Sequence, residues 1–186
     1  MDRTGVKSRR AFHTDLARRR FGVLVLLAFA GAWLVWASKT NAIPNRVYLI
    51  PSASMNPTIR AGDRVGVSTI GNTLPNRGEI WVFRMPLSSG SAPNEGVKRI
   101  IGLPGETVEV RAGHVLIDGR PLSEPYLGVP IAYEMPPLVL GRDEYFVLGD
   151  SRNSSHDSHV WGPLRRDHLI GPVKVRYWPP RRIGGL

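Results

Sequence analysis

The stretch TVEVRAGHVLIDGRPL, from Thr107 to Leu122, decides the fold class of this chain. Apolar and polar residues alternate through TVEVR, and β-branched and aliphatic residues fill HVLI, as is typical of short β-strands with a buried face. RAG joins the two segments and DGR closes the second, and both tripeptides are typical of tight turns. The stretch therefore predicts a β-hairpin.

Other short strands are predicted before and after this hairpin, because β-branched and aromatic residues stand there between turn signals. They are RVYLIP (46–51), DRVGVSTI (63–70), EIWVFRMP (79–86), VKRIIG (97–102), EYFVLGD (144–150) and PVKVRYW (172–178). SSGSAPNEG, residues 88–96, has the composition of a flexible loop. Because no βαβ alternation and no internal repeat are visible, we expect a mainly β, antiparallel, barrel-like or coiled-sheet domain of about 140 residues.

The apolar run FGVLVLLAFAGAWLVWA, Phe21 to Ala37, contains no charged residue. It reaches roughly 25 Å as a helix, at the short end of what spans a bilayer core of about 30 Å. ARRR precedes the run, and Trp33 and Trp36 lie near its end, as is typical of a membrane interface. The positive-inside rule places the N-terminus in the cytoplasm and the rest outside the cell membrane. We therefore predict a basic cytoplasmic segment (1–20), a single transmembrane signal-anchor helix (21–37) and an extracytoplasmic domain (38–186).

Two different interpretations of this apolar run compete with the anchor. A cleavable signal peptide would end in VWAS, where small residues allow cutting after Ala37. A buried core helix would normally carry a polar stripe, and no polar stripe breaks this run. The pattern favours an uncleaved signal-anchor over both, and cleavage after Ala37 stays open.

The net charge of +10 is distributed unevenly along the chain. Residues 1–20 and 163–186 each carry an excess of five positive charges, whereas acidic and basic residues balance between them. A basic segment beside an apolar run favours attraction to anionic lipid over binding of nucleic acid. The chain has no Cys, which excludes disulfides and thiolate metal sites. We expect membrane lipid as a partner, and no nucleic acid, cofactor or metal.

IPSASMNPTIRAGD, Ile50 to Asp63, places two serines one residue apart. A serine hydroxyl is a weak nucleophile until a base removes its proton. SSHDSH, Ser154 to His159, offers both His and Asp and leaves a Ser-His-Asp triad open. In a strand, however, adjacent His and Asp side chains point to opposite faces, so their closeness in sequence counts for little. A metal site at His156 and His159 lacks a third clear ligand.

A lysine is the other candidate base. The chain has 25 Lys and Arg residues but only four Lys, and one of these is Lys98 in GVKRIIG. Arg does not release its proton near neutral pH, whereas a buried Lys does. The apolar neighbours Val97, Ile100 and Ile101 would disfavour the ammonium and lower the pKa of Lys98. The competing interpretation is that Lys98 alternates out of a strand into solvent.

Three stretches of the chain resemble, in this order, the signature boxes of the type I signal peptidases. They are PSASMNPTI, VKRIIGLPGE and LGDSRNSSHDSHVWG, and the resemblance runs from Ile50 to Gly171. Members of this family are membrane-anchored Ser-Lys endopeptidases that remove signal peptides, and their anchor is N-terminal. The resemblance implies a signal-peptidase-like antiparallel coiled-sheet domain after the predicted anchor.

The resemblance also implies roles for individual residues. Ser54 aligns with the family's nucleophile and Lys98 with its general base. Ser52 matches the residue whose hydroxyl joins the Ser54 backbone N–H in the oxyanion hole. Ser155 falls where the family has a serine that hydrogen-bonds the lysine, so it would hold the amine toward the nucleophile.

Two acids and a short turn complete the implied site. Asp150 and Asp157 fall on structural acids of the family, although for Asp150 we favour a turn residue that satisfies backbone groups. Asn56 followed by Pro57 is expected to cap a short helical turn that directs free N–H groups toward the site. Four apolar residues are candidates for the lining of shallow substrate pockets: Ile50, Met55, Ile59 and Val97. Packing in the protein core explains these four residues equally well.

The chain departs from the family pattern at three positions. Ser151 replaces the usual Asn, Glu106 replaces the usual Asp after Pro-Gly, and His159 stands where an Arg pairs with the acid at Asp157. An ion pair with His depends on pH, because imidazole titrates near pH 6.5. The segment between Lys98 and Gly149 is short, so the extra β-domain of larger relatives is expected to be absent.

The resemblance implies a signal peptidase I that cleaves N-terminal signal peptides from exported precursors after Ala-x-Ala-like sites with a Ser-Lys dyad. The predicted partners are precursor proteins and membrane lipid. A self-cleaving repressor with a Ser-Lys site would need a DNA-binding helix-turn-helix in place of the apolar run. Two further functions stay open: a specialised pilin or conjugation-system peptidase, and a non-enzymatic membrane-tethered binding module of the same fold.

Overall fold

The computed structural model describes residues 44–69, 73–86 and 95–186, together with the isolated positions 28 and 31. Twelve strands and one short helix lie in the described residues between 44 and 186. Their bounds are β1 (Arg46–Leu49), β2 (Arg64–Val67), β3 (Ile80–Arg84), β4 (Glu95–Gly102), β5 (Thr107–Arg111), β6 (His114–Ile117), β7 (Arg120–Pro121), β8 (Met135–Val139), β9 (Glu144–Leu148), α1 (Ser158–Trp161), β10 (Leu164–Arg165), β11 (Leu169–Trp178) and β12 (Gly184–Gly185). Single 3-10 turns occur at 152–154, 166–168 and 180–182. The predicted mainly β fold is confirmed.

The strands form two antiparallel sheets. The larger sheet has the order β1-β2-β11-β3-β4-β9-β10, with β12 added beside β11, and the smaller has the order β7-β6-β5-β8. β11 curls the larger sheet, because its first half pairs with β3, its second half pairs with β2, and register shifts interrupt both ladders. β1 lies at one edge of the larger sheet, a position that leaves room for a further strand.

The predicted hairpin is confirmed as β5 and β6. Val110 pairs with Val115, and the two-residue turn between the strands has positive φ at both Ala112 and Gly113, as a type I′ turn requires. Asp118 and Gly119 form a second two-residue turn with positive φ at both positions, which leads into β7. Both turn signals in the sequence therefore act as predicted.

Alternating side chains of the central strands enter different apolar clusters. In β3, Val82 packs with Ile59 below the turn that follows β1, whereas Phe83 packs on the opposite face. In β9, Phe146 packs against the smaller sheet and Val147 against the other cluster. Both faces of these strands are thus covered, which explains their nearly continuous apolar sequences.

Three expectations differ from the structure or lie outside it. The predicted loop 88–96 is too long, because Glu95 and Gly96 belong to β4 and pair with Arg84 and Phe83. The strand β8 was not predicted; it contains two prolines but lies at an edge of the smaller sheet, where a missing N–H is tolerated. The predicted anchor 21–37 lies outside the described residues apart from positions 28 and 31, and none of the described helices has the length and apolarity to cross a membrane.

Candidate active site

The two serines lie on a turn that connects β1 to β2. The turn is closed by hydrogen bonds from Ile50 N to Asp63 O (2.9 Å) and from Gly62 N to Ile50 O (2.8 Å). Met55 and Ile59 fix its underside, because they are almost completely buried in the apolar cluster beneath it. The apolar residues of this segment therefore anchor the turn, while its serines remain at the surface.

The predicted capping of a helical turn by Asn56 and Pro57 is wrong. Residues 53–59 form a series of turns with no helix, and the Asn56–Pro57 peptide bond is cis. A single bond from Ile59 N to Met55 O (2.9 Å) spans one helical turn that does not continue. No helix N-terminus therefore points at the serines from this segment.

The structure brings Ser52, Ser54 and Lys98 together. Lys98 comes from β4, where it is flanked by β3 on one side and β9 on the other. Its Nζ lies 2.7 Å from Ser54 Oγ, and Ser52 Oγ lies 3.2 Å from the same oxygen. Only 6% of Lys98 is exposed, so the interpretation in which this side chain points into solvent is wrong.

The environment of Lys98 favours its neutral form. Burial lowers the pKa of Lys98 from its ordinary value of 10.5, because the surrounding protein solvates an ammonium poorly. The negative charges of Asp157 and Asp150 act in the opposite direction, and their combined effect is smaller than that of burial. The amine is therefore closer to deprotonation than that of an exposed lysine.

Asp150 does more than satisfy a turn, so the interpretation favoured from the sequence is wrong. Its side chain is completely buried and binds Arg99 in a two-pronged ion pair, with Nε–Oδ1 and Nη2–Oδ2 distances of 2.8 and 2.5 Å. Arg99 also donates to Gly78 O at 2.8 Å and lies 3.9 Å over the ring of Tyr126. Since Arg99 follows Lys98 in β4, this pair fixes the strand beside the amine.

The segment after β9 holds the backbone of the serine turn. Ser151 N donates to Ser54 O at 3.0 Å. A Cβ at Gly149 would collide with Ser54 O and with Ser155 Oγ, so only glycine allows this approach. The hydrogen bond predicted between Ser155 and Lys98 is not formed: Ser155 Oγ is buried without a hydrogen-bond partner among the described residues.

Asp157 is completely buried and caps α1. It accepts hydrogen bonds from Gly149 N at 2.8 Å and from His159 N at 3.3 Å, and its Oδ1 lies 2.7 Å from His159 Nδ1. The argument from opposite strand faces does not apply here, because His159 is two residues from Asp157 and lies in a helix. The imidazole stacks on the Tyr133 ring, with centroids 4.2 Å apart.

A cleft of about 450 Å³ opens beside the serines and the lysine. Ser52, Ser54 and Lys98 line it, and so do three of the four residues predicted as pocket residues: Ile50, Met55 and Val97. The fourth prediction, Ile59, is wrong, because this side chain is completely buried in the core beneath the turn. Met85, Glu95 and His156 line the cleft and were not predicted.

Charged residues behind the site were also not predicted. Arg152 is 1% exposed and pairs with Glu124, while its Nε donates to Gly149 O at 3.1 Å. Tyr126 donates to Glu124 at 2.6 Å. Because a buried Arg needs a buried acid, Arg152 inside LGDSRNSSHD could have indicated a buried ion pair. Its partner, 28 residues away, could not be read from the sequence.

Glu106, one of the departures from the family pattern, has a clear structural role. Its carboxylate pairs with Arg77, with an Nη1–Oε2 distance of 2.8 Å, and accepts from Leu103 N at 2.7 Å. It therefore closes the Pro-Gly turn after β4 and ties that turn to the start of β3. The longer side chain of Glu fulfils this structural task without approaching Ser54.

This arrangement of groups suits one kind of chemistry. A serine hydroxyl within 2.7 Å of a poorly solvated amine, with a second hydroxyl beside it, can transfer acyl groups, with the amine taking the serine proton. In a Ser-His-Asp site an imidazole would lie beside the serine, whereas here the amine of Lys98 lies beside Ser54. The class defined by this geometry is that of serine hydrolases with a lysine base.

Comparisons with known proteins lead to one family. The family model described as "Signal peptidase, peptidase S26" matches residues 18–178. The chain is 46% identical over 142 residues to "Probable signal peptidase I-2" of Synechocystis sp., covering 74% of this chain and 65% of that protein. It is 45% identical over 143 residues to "Signal peptidase I" of Leptolyngbya laminosa, covering 74% and 70%. The chain belongs to the signal peptidase family, peptidase S26, which confirms the resemblance seen in the three sequence boxes.

Two further similarities complete the comparison. The chain is 37% identical over 143 residues to "Thylakoidal processing peptidase 1, chloroplastic" of Arabidopsis thaliana, covering 72% of this chain and 42% of that protein. A crystal structure of a signal peptidase I from Enterococcus faecalis V583 aligns with 31% identity and a TM-score of 0.48, covering 55% of this chain and 98% of that chain. The chain thus spans slightly under two thirds of the first relative and less than half of the thylakoidal one.

Proposed function

We propose that this protein is a signal peptidase I, a serine endopeptidase in which Ser54 is the nucleophile and Lys98 the general base. The observation that carries the proposal is the 2.7 Å distance between the Lys98 amine and the Ser54 hydroxyl, with the amine almost buried at the side of an open cleft. Family membership gives the substrate class: precursors with N-terminal signal peptides.

The reaction proceeds in two acyl-transfer steps. Ser54 Oγ attacks the scissile carbonyl carbon while the neutral amine of Lys98 takes the hydroxyl proton. The protonated lysine then gives this proton to the leaving amine as the peptide C–N bond breaks and an ester remains on Ser54. Water, deprotonated by the same amine, attacks the ester, and the bond between the acyl carbon and Ser54 Oγ breaks. Lys98 returns the proton to Ser54 Oγ, and the signal peptide leaves with a free carboxylate.

Ser52 supplies part of the oxyanion hole in this proposal. Its hydroxyl lies 3.2 Å from Ser54 Oγ, close enough to donate to the oxygen that becomes negative when Ser54 attacks. The Ser54 backbone N–H is the second donor. Removal of one such donor typically slows catalysis by about 10²–10³-fold.

The cleft fits an extended peptide. β1 is an edge strand, and the cleft runs from its last residues, Tyr48 and Leu49, to the start of β4 at Glu95. A substrate strand placed there would use main-chain hydrogen bonds for affinity and alternate side-chain pockets for specificity. Ile50, Met55 and Val97 are proposed to form the shallow pockets that accept Ala-x-Ala.

The membrane anchor is part of this proposal. A helix over residues 21–37, preceded by the basic segment 1–20, would hold the catalytic domain at the outer surface of the cell membrane with the N-terminus in the cytoplasm. Cleavage sites of signal peptides emerge at that surface. Membrane lipid is therefore the proposed second partner.

The test is cleavage of a purified precursor with an Ala-x-Ala site by the full chain in detergent. We expect the wild type to cut once, after the second Ala, and Ser54→Ala and Lys98→Ala to lose at least about 10³-fold in kcat/KM. Ser123→Ala and Lys174→Ala are the matched controls and should retain activity. If Lys98→Ala cuts normally, the dyad is wrong.

The same assay separates the competing functions. Binding of precursors without cleavage by the wild type would identify a non-enzymatic module of the same fold. Cleavage of a single pilin-type precursor, with other Ala-x-Ala precursors left intact, would identify a specialised peptidase. Loss of cutting in the presence of a chelator would overturn the Ser-Lys mechanism, because the proposed site uses no metal.

A further inference from the structure

Two buried carboxylates act on the Lys98 amine, and each has one cationic partner. Asp150 is paired with Arg99, and Asp157 is paired with His159. Both carboxylates have completely buried side chains, and the negative charge of each raises the pKa of Lys98 against the stronger effect of burial. The state of these two ion pairs therefore affects how easily the amine loses its proton.

The two ion pairs are built alike, and they differ in the chemistry of the cation. An aromatic ring from the segment between β7 and β8 covers each cation: Tyr126 lies 3.9 Å from Arg99, and Tyr133 stacks on His159 at 4.2 Å and 15°. The guanidinium of Arg99 is charged at every accessible pH, whereas an imidazole gains or loses its charge in the physiological range. Only the pair with His159 can change its net charge there.

We infer that His159 is a positioning residue of the proposed peptidase: through Asp157, its charge state governs how readily the Lys98 amine acts as base. The inference rests on the proposed function, because it concerns the same site. His159 touches neither Ser54 nor Lys98 in any bond of the structure, and its contacts are with Asp157 and Tyr133. It acts on the dyad through the carboxylate.

His159 holds Asp157 through both its ring and its backbone. Nδ1 lies 2.7 Å from Asp157 Oδ1, where it donates to the carboxylate, and the side chain is 20% exposed. The backbone N–H of His159 also donates to Asp157 at 3.3 Å. Replacement of the imidazole therefore leaves the carboxylate with its backbone partners, His159 N and Gly149 N.

The direction of the effect follows from the charges. With His159 neutral, the charge of Asp157 is uncompensated, and it stabilises the protonated form of Lys98. With His159 protonated, the pair is neutral overall, and Lys98 loses its proton more easily. With protonated His159, the Lys98 amine is therefore harder to protonate. At low pH, kcat/KM should then fall less steeply than it would with neutral His159.

Other groups near this pair have to be separated from His159 in the test. Burial raises the pKa of Tyr133, so its hydroxyl stays neutral throughout the range of interest. His156 lines the cleft and is the other imidazole near the dyad. The remaining charged groups that face the pair or its stacking partner are Lys98 and Arg99 on β4, Asp150 after β9, Arg152 in the turn before α1, and Glu124 in the segment before β8.

The experiment is the pH dependence of kcat/KM for one precursor peptide, measured with the full chain in detergent from about pH 5 to 10. His159→Arg fixes the positive charge and His159→Gln fixes the neutral state, while both keep a donor for Asp157. On the acid limb we expect His159→Arg to exceed His159→Gln by at least about threefold, a displacement of about 0.5 pH unit. The wild type should lie between the two variants and move toward His159→Arg as the pH falls.

The control is His114→Gln, which should keep the wild-type curve. Superimposable profiles of His159→Arg and His159→Gln would overturn the inference, as would loss of the wild-type inflection in His156→Gln instead. Should His159→Arg not fold, the separation of the wild-type profile from that of His159→Gln at the acid end decides the question alone. Failure of the proposed function looks different: the wild type would then not cut the peptide at any pH.

Discussion

Lys98 owes its proposed chemistry to its surroundings. Its side chain is 6% exposed, its strand is paired on both sides, and its amine lies 2.7 Å from the Ser54 hydroxyl. Burial disfavours the ammonium, whereas the carboxylates of Asp150 and Asp157 stabilise it. Because burial has the larger effect, the balance favours an amine that acts as a base below the usual range of lysine.

The first prediction concerns the acid limb of activity. Only the neutral Lys98 can accept the Ser54 proton, so kcat/KM should rise with pH and level off above the pKa of Lys98. Since that pKa is lowered from 10.5, the midpoint should lie clearly below that value. A pH–rate profile with a precursor peptide measures it, and a midpoint at or above 10.5 would contradict the burial argument.

The second prediction concerns the ion pair of Asp150 and Arg99. Asp150→Asn should destabilise the protein by about 3–5 kcal/mol, because it leaves the guanidinium buried without its counter-charge. It should also move the acid limb to lower pH, because Asp150 raises the pKa of Lys98. Chemical denaturation and the pH profile are the measurements. Asp167→Asn, at the exposed Arg165–Asp167 pair, is the matched control and should leave the denaturation midpoint nearly unchanged.

At the scale of single residues, the sequence predicts Ser54 and Lys98 better than it predicts the ion pairs and hydrogen bonds around them. The rarity of Lys in an Arg-rich chain and the apolar neighbours left a solvent-facing Lys98 open, and the resemblance to the signal peptidases implied its role; the structure does bury it. The pairing of Arg99 with Asp150 joins residues 51 positions apart, and no local pattern marks it. Ser155 shows the converse: its position in the third box was correctly placed near the site, but its hydroxyl does not reach the amine.

At the scale of elements, the site depends on two turns that touch. The turn after β1 carries Ser54, and the turn after β9 carries Gly149, which has no room for a side chain because a Cβ there would collide with Ser54 O. Ser151 N then holds that same carbonyl at 3.0 Å. The position of Ser54 along the strand of Lys98 is therefore set by close backbone packing.

The third prediction follows from this contact. Gly149→Ala should push the Ser54 turn away from β9, with a loss of about 1–3 kcal/mol in stability and a larger loss of kcat than of substrate binding. Gly128→Ala is the matched control, because a Cβ there meets no atom within 4 Å. Denaturation curves and separate kcat and KM values test this. Unchanged kcat in a folded Gly149→Ala protein would contradict the role of the contact.

Elements with a strong local signal were the predictable ones. The hairpin of β5 and β6 carries alternation and two Gly-containing turns, and it forms as expected. β8 reads MPPLV, and its prolines argue against a strand; the edge position that permits them is a property of the whole sheet. The predicted end of the loop at Gly96 is wrong for a similar reason: pairing of Gly96 with Phe83 extends β4 beyond its apolar residues.

At the scale of the whole molecule, the described part has enough core to stand alone. Residues 44–186 form one compact unit, separate from residues 1–43, and three apolar clusters cover both faces of the central strands. The basic residues 1–20 and the apolar residues 21–37 fall in the other unit. Folding and catalysis should therefore be separable from attachment to the membrane.

The fourth prediction tests this division. A fragment of residues 44–186 should fold, cut a short soluble peptide with kcat/KM within about tenfold of the full chain in detergent, and stay in the supernatant after alkaline extraction of membranes. The full chain should remain in the pellet, because a helix over 21–37 would be apolar enough to insert. A full chain with Leu26→Arg and Leu27→Arg is the matched control. Each Arg at the centre of a span makes the free energy of membrane insertion less favourable by about 2.5–3.5 kcal/mol, so this variant should be extracted while it still cuts the peptide.

Two outcomes would contradict the prediction. Retention of this variant in the pellet would show that other surfaces of the protein hold it to the membrane. An unfolded fragment would show that residues 1–43 contribute to the fold itself.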